Sequence, residues 1–288
     1  VRMPGLHLEG PYVAVSQKGA LDERYITDPV PEDFMPLLET GSIRRWTIAP
    51  ERPGALAMGD ALRARGVLPS MGHSECTFDE AEAARDHGFT HVTHLYSGMP
   101  QGVRRYNAYR VGGLIEAAYF FDDITVELIA DGCHLPRELL ALAVKIKSPE
   151  RVILVTDAMR GAGQPPGPTI LGSLEDGLPA IIEGGVAMLP DRSAFAGSVA
   201  TADRLVRTMV ALAGIPLHDA VRMMTSTPAR IMGISHEVGS LSPGLYADIV
   251  VFDGDVRVRD VFCGGRRVYA RESGRVMSAK SFREDSLV

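Results

Sequence analysis

Strand–helix alternation restricts this 288-residue chain more than any other feature. Short β-rich runs fall at Leu6–Leu8, Arg45–Ile48, Val67–Met71, His91–Leu95, Thr125–Ile129 and Arg151–Val155. Helix-like stretches lie between them at Ala55–Arg65, Phe78–His87, Gly113–Ala118 and Arg137–Lys147. Thr77-Phe78-Asp79-Glu80 has the spacing of a capping box, and Pro136 stands where a first helical residue belongs. Such alternation implies a parallel sheet, and strands this apolar are expected to be buried on both faces. A doubly wound sheet and a closed barrel both satisfy it.

The positions of the polar residues separate the two. Glu9, His73, His94, Asp131 with His134, and Asp157 each come at or just past the C-terminal end of a strand. That rim is where (β/α)8 barrels build their active sites. Six strand units are visible against the eight of a closed barrel, so two N-terminal strands are expected outside this chain, or the barrel is atypical. The chain opens on Val1, directly in a strand-like segment, and reads as a piece of something longer.

After Asp157 the pattern loosens. Gly161–Pro168 reads as a loop and Glu175–Phe195 as turns and short strands. Helices are expected over Thr201–Ala213 and Leu217–Met232. The alternating segments Ala247–Phe252, Val256–Val261 and Arg266–Tyr269 predict a small β unit. The expected division is a barrel portion over 1–238 and the strands of a small β-sandwich over 239–288. There is no internal repeat.

Composition narrows the partners. The chain is 45% hydrophobic and 23% charged, ordinary for a globular protein. A net charge of −6 with no block of Lys or Arg argues against nucleic acid and anionic membrane surfaces. No apolar run is long enough to span a bilayer, and no signal peptide is recognised. Cys76, Cys133 and Cys263 are sparse and widely spaced, which argues against a disulfide framework and for a reducing, cytoplasmic setting.

Glu9, His73, His94 and Asp157 follow four different strands, and a barrel rim brings such residues together. Two imidazoles and a carboxylate suit zinc or a related divalent ion with a position left for water, and another carboxylate nearby can move that water's proton. Taken singly, each has a plainer explanation. His73 could bond to backbone, His94 could be a satisfied core histidine, and Asp157 could cap a helix. Four such coincidences at equivalent rim positions are a weaker account than one shared site. His134 reads as a group that contacts substrate or polarises a carbonyl, or as a loop histidine near a helix start. His7, on the same strand face as Glu9, reads as structural support, as do His87 and His91.

These motifs, taken in order, resemble the N-acetylglucosamine-6-phosphate deacetylases of the amidohydrolase superfamily. The residues concerned are His7-Leu8-Glu9-Gly10-Pro11, Gly72-His73-Ser74, Thr93-His94-Leu95-Tyr96, Ala130-Asp131-Gly132-Cys133-His134 and Val155-Thr156-Asp157-Ala158. Gly197-Ser198, Thr227-Pro228-Ala229-Arg230 and the Gly239–Asp248 segment extend the likeness over nearly the whole chain. The resemblance implies a (β/α)8 TIM-like barrel of the amidohydrolase type with a small β-sandwich. It implies a metal on Glu9, His73 and His94, with Asp157 as general base and then acid, and His134 as a substrate contact. The metal would be zinc, with iron or another divalent ion as alternatives, and one or two ions. It also implies a homodimer in which an arginine from the neighbouring subunit helps bind the sugar phosphate.

The chain departs from that pattern around the substrate. Ser97-Gly98-Met99 replaces the usual Asn-Ala-Met, placing Ser97 and Gly98 at sugar-phosphate-contacting positions. Leu21 stands where the family often has a histidine. Arg104-Arg105-Tyr106-Asn107-Ala108-Tyr109-Arg110 replaces the phosphate segment; Arg105 matches best and Arg110 is the second candidate. The expectation is therefore a deacetylase of N-acetylglucosamine 6-phosphate. The alternatives are deacylation of another N-acyl amino-sugar phosphate or of an N-acyl-D-amino acid. A non-catalytic metal-binding or sugar-phosphate-sensing relative has no need of Asp157.

Overall fold

A computed structural model describes residues 2–101, 103–271 and 275–276. The chain runs β1 (Leu6–Glu9), α1 (Pro31–Glu39), β2 (Ile43–Ile48), α2 (Ala55–Arg63), β3 (Leu68–Met71), α3 (Phe78–Asp86) and β4 (His91–Val92). A hairpin of β5 (Arg104–Tyr106) and β6 (Tyr109–Val111) follows, then α4 (Leu114–Phe120), β7 (Thr125–Leu128), α5 (Arg137–Lys147) and β8 (Val152–Leu154). Next come β9 (Gly167–Leu171), β10 (Leu178–Glu183), β11 (Val186–Met188), α6 (Ala202–Ala211), α7 (Leu217–Arg222) and α8 (Ser226–Ile231). The last elements are β12 (Ile249–Phe252), β13 (Val258–Cys263), β14 (Arg266–Ala270) and β15 (Arg275–Val276).

Six strands form one parallel sheet in the order β1-β2-β3-β4-β7-β8. The sheet is curled. Arg45 of β2 bonds the Glu127 carboxylate of β7 although β3 and β4 lie between them, and a flat sheet could not bring the two together. The architecture is thus an arc of a barrel, with small antiparallel sheets beside it: β11-β10-β9, β12-β13-β14-β15 and the β5-β6 hairpin.

Period-two alternation gives the arc two different faces. Trp46, Ile48, Val92, Val126 and Leu128 belong to the core cluster that includes Met58 and Leu62 of α2, Ala81 and Ala84 of α3, and Leu140 and Ala143 of α5. The alternate residues, Arg45, Thr47, His91, Thr93 and Glu127, are buried and polar. This corrects the expectation of strands apolar on both faces. The inner face tolerates charge because its groups pair: Arg45 with Glu127, His91 Nδ1 with Thr125 Oγ1 at 2.7 Å, and Thr47 Oγ1 with Thr93 Oγ1 at 2.7 Å.

Several boundaries differ from the sequence reading. The capping box forms, with Glu80 N donating to Thr77 Oγ1 at 3.3 Å and Thr77 N donating to Glu80 Oε2 at 2.7 Å. Pro136 is the N-cap with extended backbone, and α5 begins one residue later. The fourth strand stops at Val92 rather than Leu95, because the chain turns away toward the left-handed backbone of His94. The helix expected over 217–232 is two helices, broken at Thr225, where φ is −131° and ψ −86°. Helix α1 and the β5-β6 hairpin were not anticipated. Of the expected unit 239–288, residues 272–274 and 277–288 lie outside the described residues; Val1 and Gly102 do as well.

Candidate active site

Glu9 is the last residue of β1, while His73 and His94 follow β3 and β4 by two residues each. The curl of the sheet aims all three at one point. His73 Nε2 lies 2.7 Å and His94 Nε2 2.8 Å from the same Glu9 oxygen, Oε1, and the two nitrogens are 3.1 Å apart. The imidazole rings stand edge to face with centroids 4.8 Å apart. Both histidines are buried and Glu9 is half-buried.

Strain marks the same residues. His73, His94 and Asp157 have φ of 48°, 29° and 47°, a left-handed conformation uncommon outside glycine. Each such residue costs on the order of 1–3 kcal/mol and persists only where its surroundings impose it, typically at functional sites. Here the loops impose it. Ala14 N donates to His73 O at 2.8 Å, Ser74 N to Gly98 O at 3.0 Å, and Ser74 Oγ to Glu51 Oε2 at 2.7 Å. Ser198 N donates to Asp157 O at 2.7 Å. A side chain at Gly197 would press to 2.9 Å from that same Asp157 oxygen, so the approach needs glycine.

The donor set suits a divalent cation. His73 Nδ1 is 2.7 Å from Gln17 O; a carbonyl only accepts, so Nδ1 carries the proton and Nε2 presents its lone pair toward Glu9. A lone pair and a carboxylate oxygen at 2.7 Å are compatible around a shared positive charge. The field points the same way: burial opposes charge on His94, yet the Glu9 carboxylate raises its pKa to about 9. Burial alone would raise Glu9, but His94 and His73 hold it well below the usual carboxylate range. Among the described residues these three are the group whose ligand atoms lie within 4.8 Å of one another.

Asp157 is half-buried just past β8, within electrostatic reach of Glu9, His94, His134 and His73. Burial lifts its pKa to about 6, with Glu9 adding and His94 subtracting. A carboxyl poised there can accept and return a proton near neutral pH. His134 follows β7, held at Nδ1 by Asp131 Oδ2 at 2.8 Å, with its ring 4.5 Å from that of Phe195.

The other expected residues fall at different distances from this centre. Ser97 and Gly98 lie in the turn after His94, where Ser97 N donates to His94 O at 2.9 Å. Gly98 backs onto the His73 ring; a Cβ there would sit 2.6 Å from His73 Nδ1, so glycine keeps the bond to Gln17 intact. Arg105 is exposed on the β5-β6 hairpin, as is Arg110 opposite it. The neighbouring Arg104 turns inward to the carbonyls of Glu75 and Cys76, just beyond His73. His7 is no ligand: its Nδ1 accepts from Arg45 Nη2 at 2.7 Å and its Nε2 faces Thr47 Oγ1 at 2.7 Å.

Sequence reasoning placed Asp131 at the rim without giving it a role, and did not single out Gln17, Glu51 or Glu127. Gln17 acts through its carbonyl and leaves no side-chain signal. Glu127 could have been noticed as a lone carboxylate inside the apolar run around Val126 and Leu128. Asp131 precedes Cys133 and His134 by the two- and three-residue spacing of a side chain capping its own turn.

A model of the amidohydrolase family matches residues 4–268. The chain belongs to the amidohydrolase family. It is 32% identical over 264 residues to an N-acetylglucosamine-6-phosphate deacetylase of Lysinibacillus sphaericus, covering 91% of this chain and 65% of that protein. It is 32% identical to an N-acetylgalactosamine-6-phosphate deacetylase of Escherichia coli O157:H7, covering 91% of this chain and 67% of that one. The chain thus spans about two thirds of the length of these relatives. Among solved structures, a mutant N-acetyl-D-glucosamine-6-phosphate deacetylase of Mycobacterium smegmatis, in complex with N-acetyl-D-glucosamine-6-phosphate, matches with a TM-score of 0.83. Its identity is 35%, over 91% of this chain and 68% of that one. The Pasteurella multocida deacetylase matches with a TM-score of 0.85 at 28% identity, over 94% of this chain and 68% of that one.

Proposed function

We propose that the protein containing this chain hydrolyses the acetamide of N-acetylglucosamine 6-phosphate, giving acetate and glucosamine 6-phosphate. The observation that carries this reading is the convergence of Glu9, His73 and His94 on one point with a carboxyl of raised pKa, Asp157, beside it. The names of the relatives supply the substrate class.

Glu9, His73 and His94 would hold the ion, zinc best suiting this donor set, with iron or another divalent ion as alternatives. Bound there, a divalent ion supplies positive charge that acidifies water and polarises an acyl oxygen. Asp157 takes the proton of the attacking water at its carboxylate and returns it to the leaving nitrogen. His134 contacts the substrate, and Ser97 and Gly98 border it. Arg105, or Arg110 across the hairpin, receives the phosphate. We assign residues 1–238 to the catalytic barrel and 239–288 to a small β-sandwich, in a cytoplasmic homodimer. No helix among the described residues is long and apolar enough to cross a membrane.

One observation favours a second reading. The galactosamine-series relative is as similar as the glucosamine-series one, so the C4 epimer is an alternative substrate. The test is acetate release from both epimers, with and without phosphate, by the full-length protein and its Asp157→Asn variant. The variant is expected to lose 10²–10⁴-fold in kcat. Full activity in the variant would refute the assigned proton transfer.

A further inference from the structure

Asp131 lies three residues past the end of β7. It is 1% exposed, and its carboxylate makes three hydrogen bonds within one turn. Oδ1 accepts from the backbone N–H groups of Cys133 at 2.8 Å and His134 at 2.9 Å. Oδ2 lies 2.8 Å from His134 Nδ1. The turn is clamped from outside by Arg204 of α6, whose Nη2 donates to Asp131 O at 2.6 Å and whose Nη1 donates to Gly185 O at 2.8 Å. Burial alone would raise the Asp131 pKa, but His134 and the two backbone donors hold it below the ordinary carboxylate range. The group facing Nδ1 is therefore an acceptor, and Nδ1 must be the donor. His134 Nε2, across the ring, hydrogen-bonds to nothing among the described residues.

We propose that Asp131 is a positioning residue that fixes His134 in the tautomer protonated at Nδ1, so that Nε2 presents a lone pair and takes a hydrogen bond from the substrate. The donor on the substrate is a hydroxyl or an amide N–H; an acyl oxygen, which only accepts, is not the partner of neutral His134. This assignment rests on the proposed substrate-contacting role of His134, and it separates that role from oxyanion stabilisation.

The substitution Asp131→Asn isolates the effect. The amide oxygen can still accept from the N–H groups of Cys133 and His134, so the turn is retained. The amide nitrogen now faces Nδ1 as a donor, and the neutral ring must move its proton to Nε2. Nitrogen NMR of the histidine rings in the metal-loaded, full-length protein at pH 8, with His134→Ala identifying the resonances, reads the tautomer directly. The wild type is expected to show Nδ1 protonated and Nε2 free, and Asp131→Asn the reverse. On N-acetylglucosamine 6-phosphate the variant is expected to lose about 10–100-fold in kcat/KM with unchanged metal content, while its melting temperature falls only as far as the loss of one buried carboxylate requires. Added to His134→Ala, Asp131→Asn should cause little further loss, because it acts through the missing ring. A wild-type His134 protonated at Nε2, or a full further loss in the His134→Ala background, would overturn the proposal. If no amino-sugar phosphate is hydrolysed, the functional reading fails while the NMR result still decides the tautomer.

Discussion

Individual side chains do two kinds of work at this rim, holding and orienting. In the proposed site Glu9, His73 and His94 would supply the donor atoms, and Gln17 O fixes which nitrogen His73 offers. Losing the partner of a metal-bound histidine typically weakens binding 10–100-fold, and losing the histidine itself is worse. His73→Ala is therefore expected to strip the protein of its ion on dialysis, whereas Asp157→Asn retains it. Elemental analysis per chain distinguishes the two, and equal metal content in both variants would remove His73 from the ligand set. The sequence made the donor atoms legible because a lone His or Glu at an apolar strand's end is conspicuous. The orienting roles were hidden: Gln17 acts through a backbone carbonyl, and Asp131, although visible at the rim, looks like part of a turn.

Elements decide how far each side chain stands from the centre. The parallel strands were readable from short apolar runs alternating with helical patterns, and α3 from its capping box. The β5-β6 hairpin was not, because Arg105, Tyr109 and Arg110 are exposed and impose no apolar period on its sequence. Its docking depends on Arg104, which reaches the carbonyls of Glu75 and Cys76. That leaves Arg105 outward-facing and available to a phosphate. Arg105→Ala is expected to raise KM for the phosphorylated sugar roughly 10-fold or more, the cost of a charge-assisted hydrogen bond, with little change for the unphosphorylated sugar. Equal effects on both substrates would assign Arg105 to the fold and move attention to Arg110. At the other end of the same loop, Thr77→Ala removes the cap of α3 and should cost about 1 kcal/mol in denaturant unfolding. Metal content should not change, since the cap touches none of the three proposed ligands.

On the scale of the whole molecule, the curled sheet is buried on both faces, but only the face against the helices is apolar; the inner face carries paired charge. The inner layer is held by Arg45, Glu127 and His91. Thr125 Oγ1 donates to Thr90 O, so it accepts from His91 Nδ1; His91 Nε2 then holds a lone pair, 3.3 Å from Arg45 Nη1. His91 is thus neutral: burial, with Arg45 adding, lowers its pKa, although Glu127 opposes the shift. Burial alone would raise Glu127, but the Arg45 guanidinium bonded to it holds it well below its ordinary 4.5. The two shifts act in the same direction on stability. A histidine whose folded pKa is depressed binds fewer protons than in the unfolded chain, so stability falls as pH drops below its ordinary 6.5. A carboxylate whose folded pKa is depressed contributes fully above its ordinary value, and that contribution is lost as pH falls below 4.5. Denaturant midpoints should therefore decline from about pH 6.5 and more steeply below pH 4.5. Glu127→Gln leaves Arg45 buried without its counter-charge and should cost about 3–5 kcal/mol at pH 7. Its stability should also change less between pH 5 and pH 3 than that of the wild type, because the titrating carboxylate is gone. A variant as stable as the wild type at pH 7 would mean that solvent, rather than Glu127, neutralises Arg45 inside the arc.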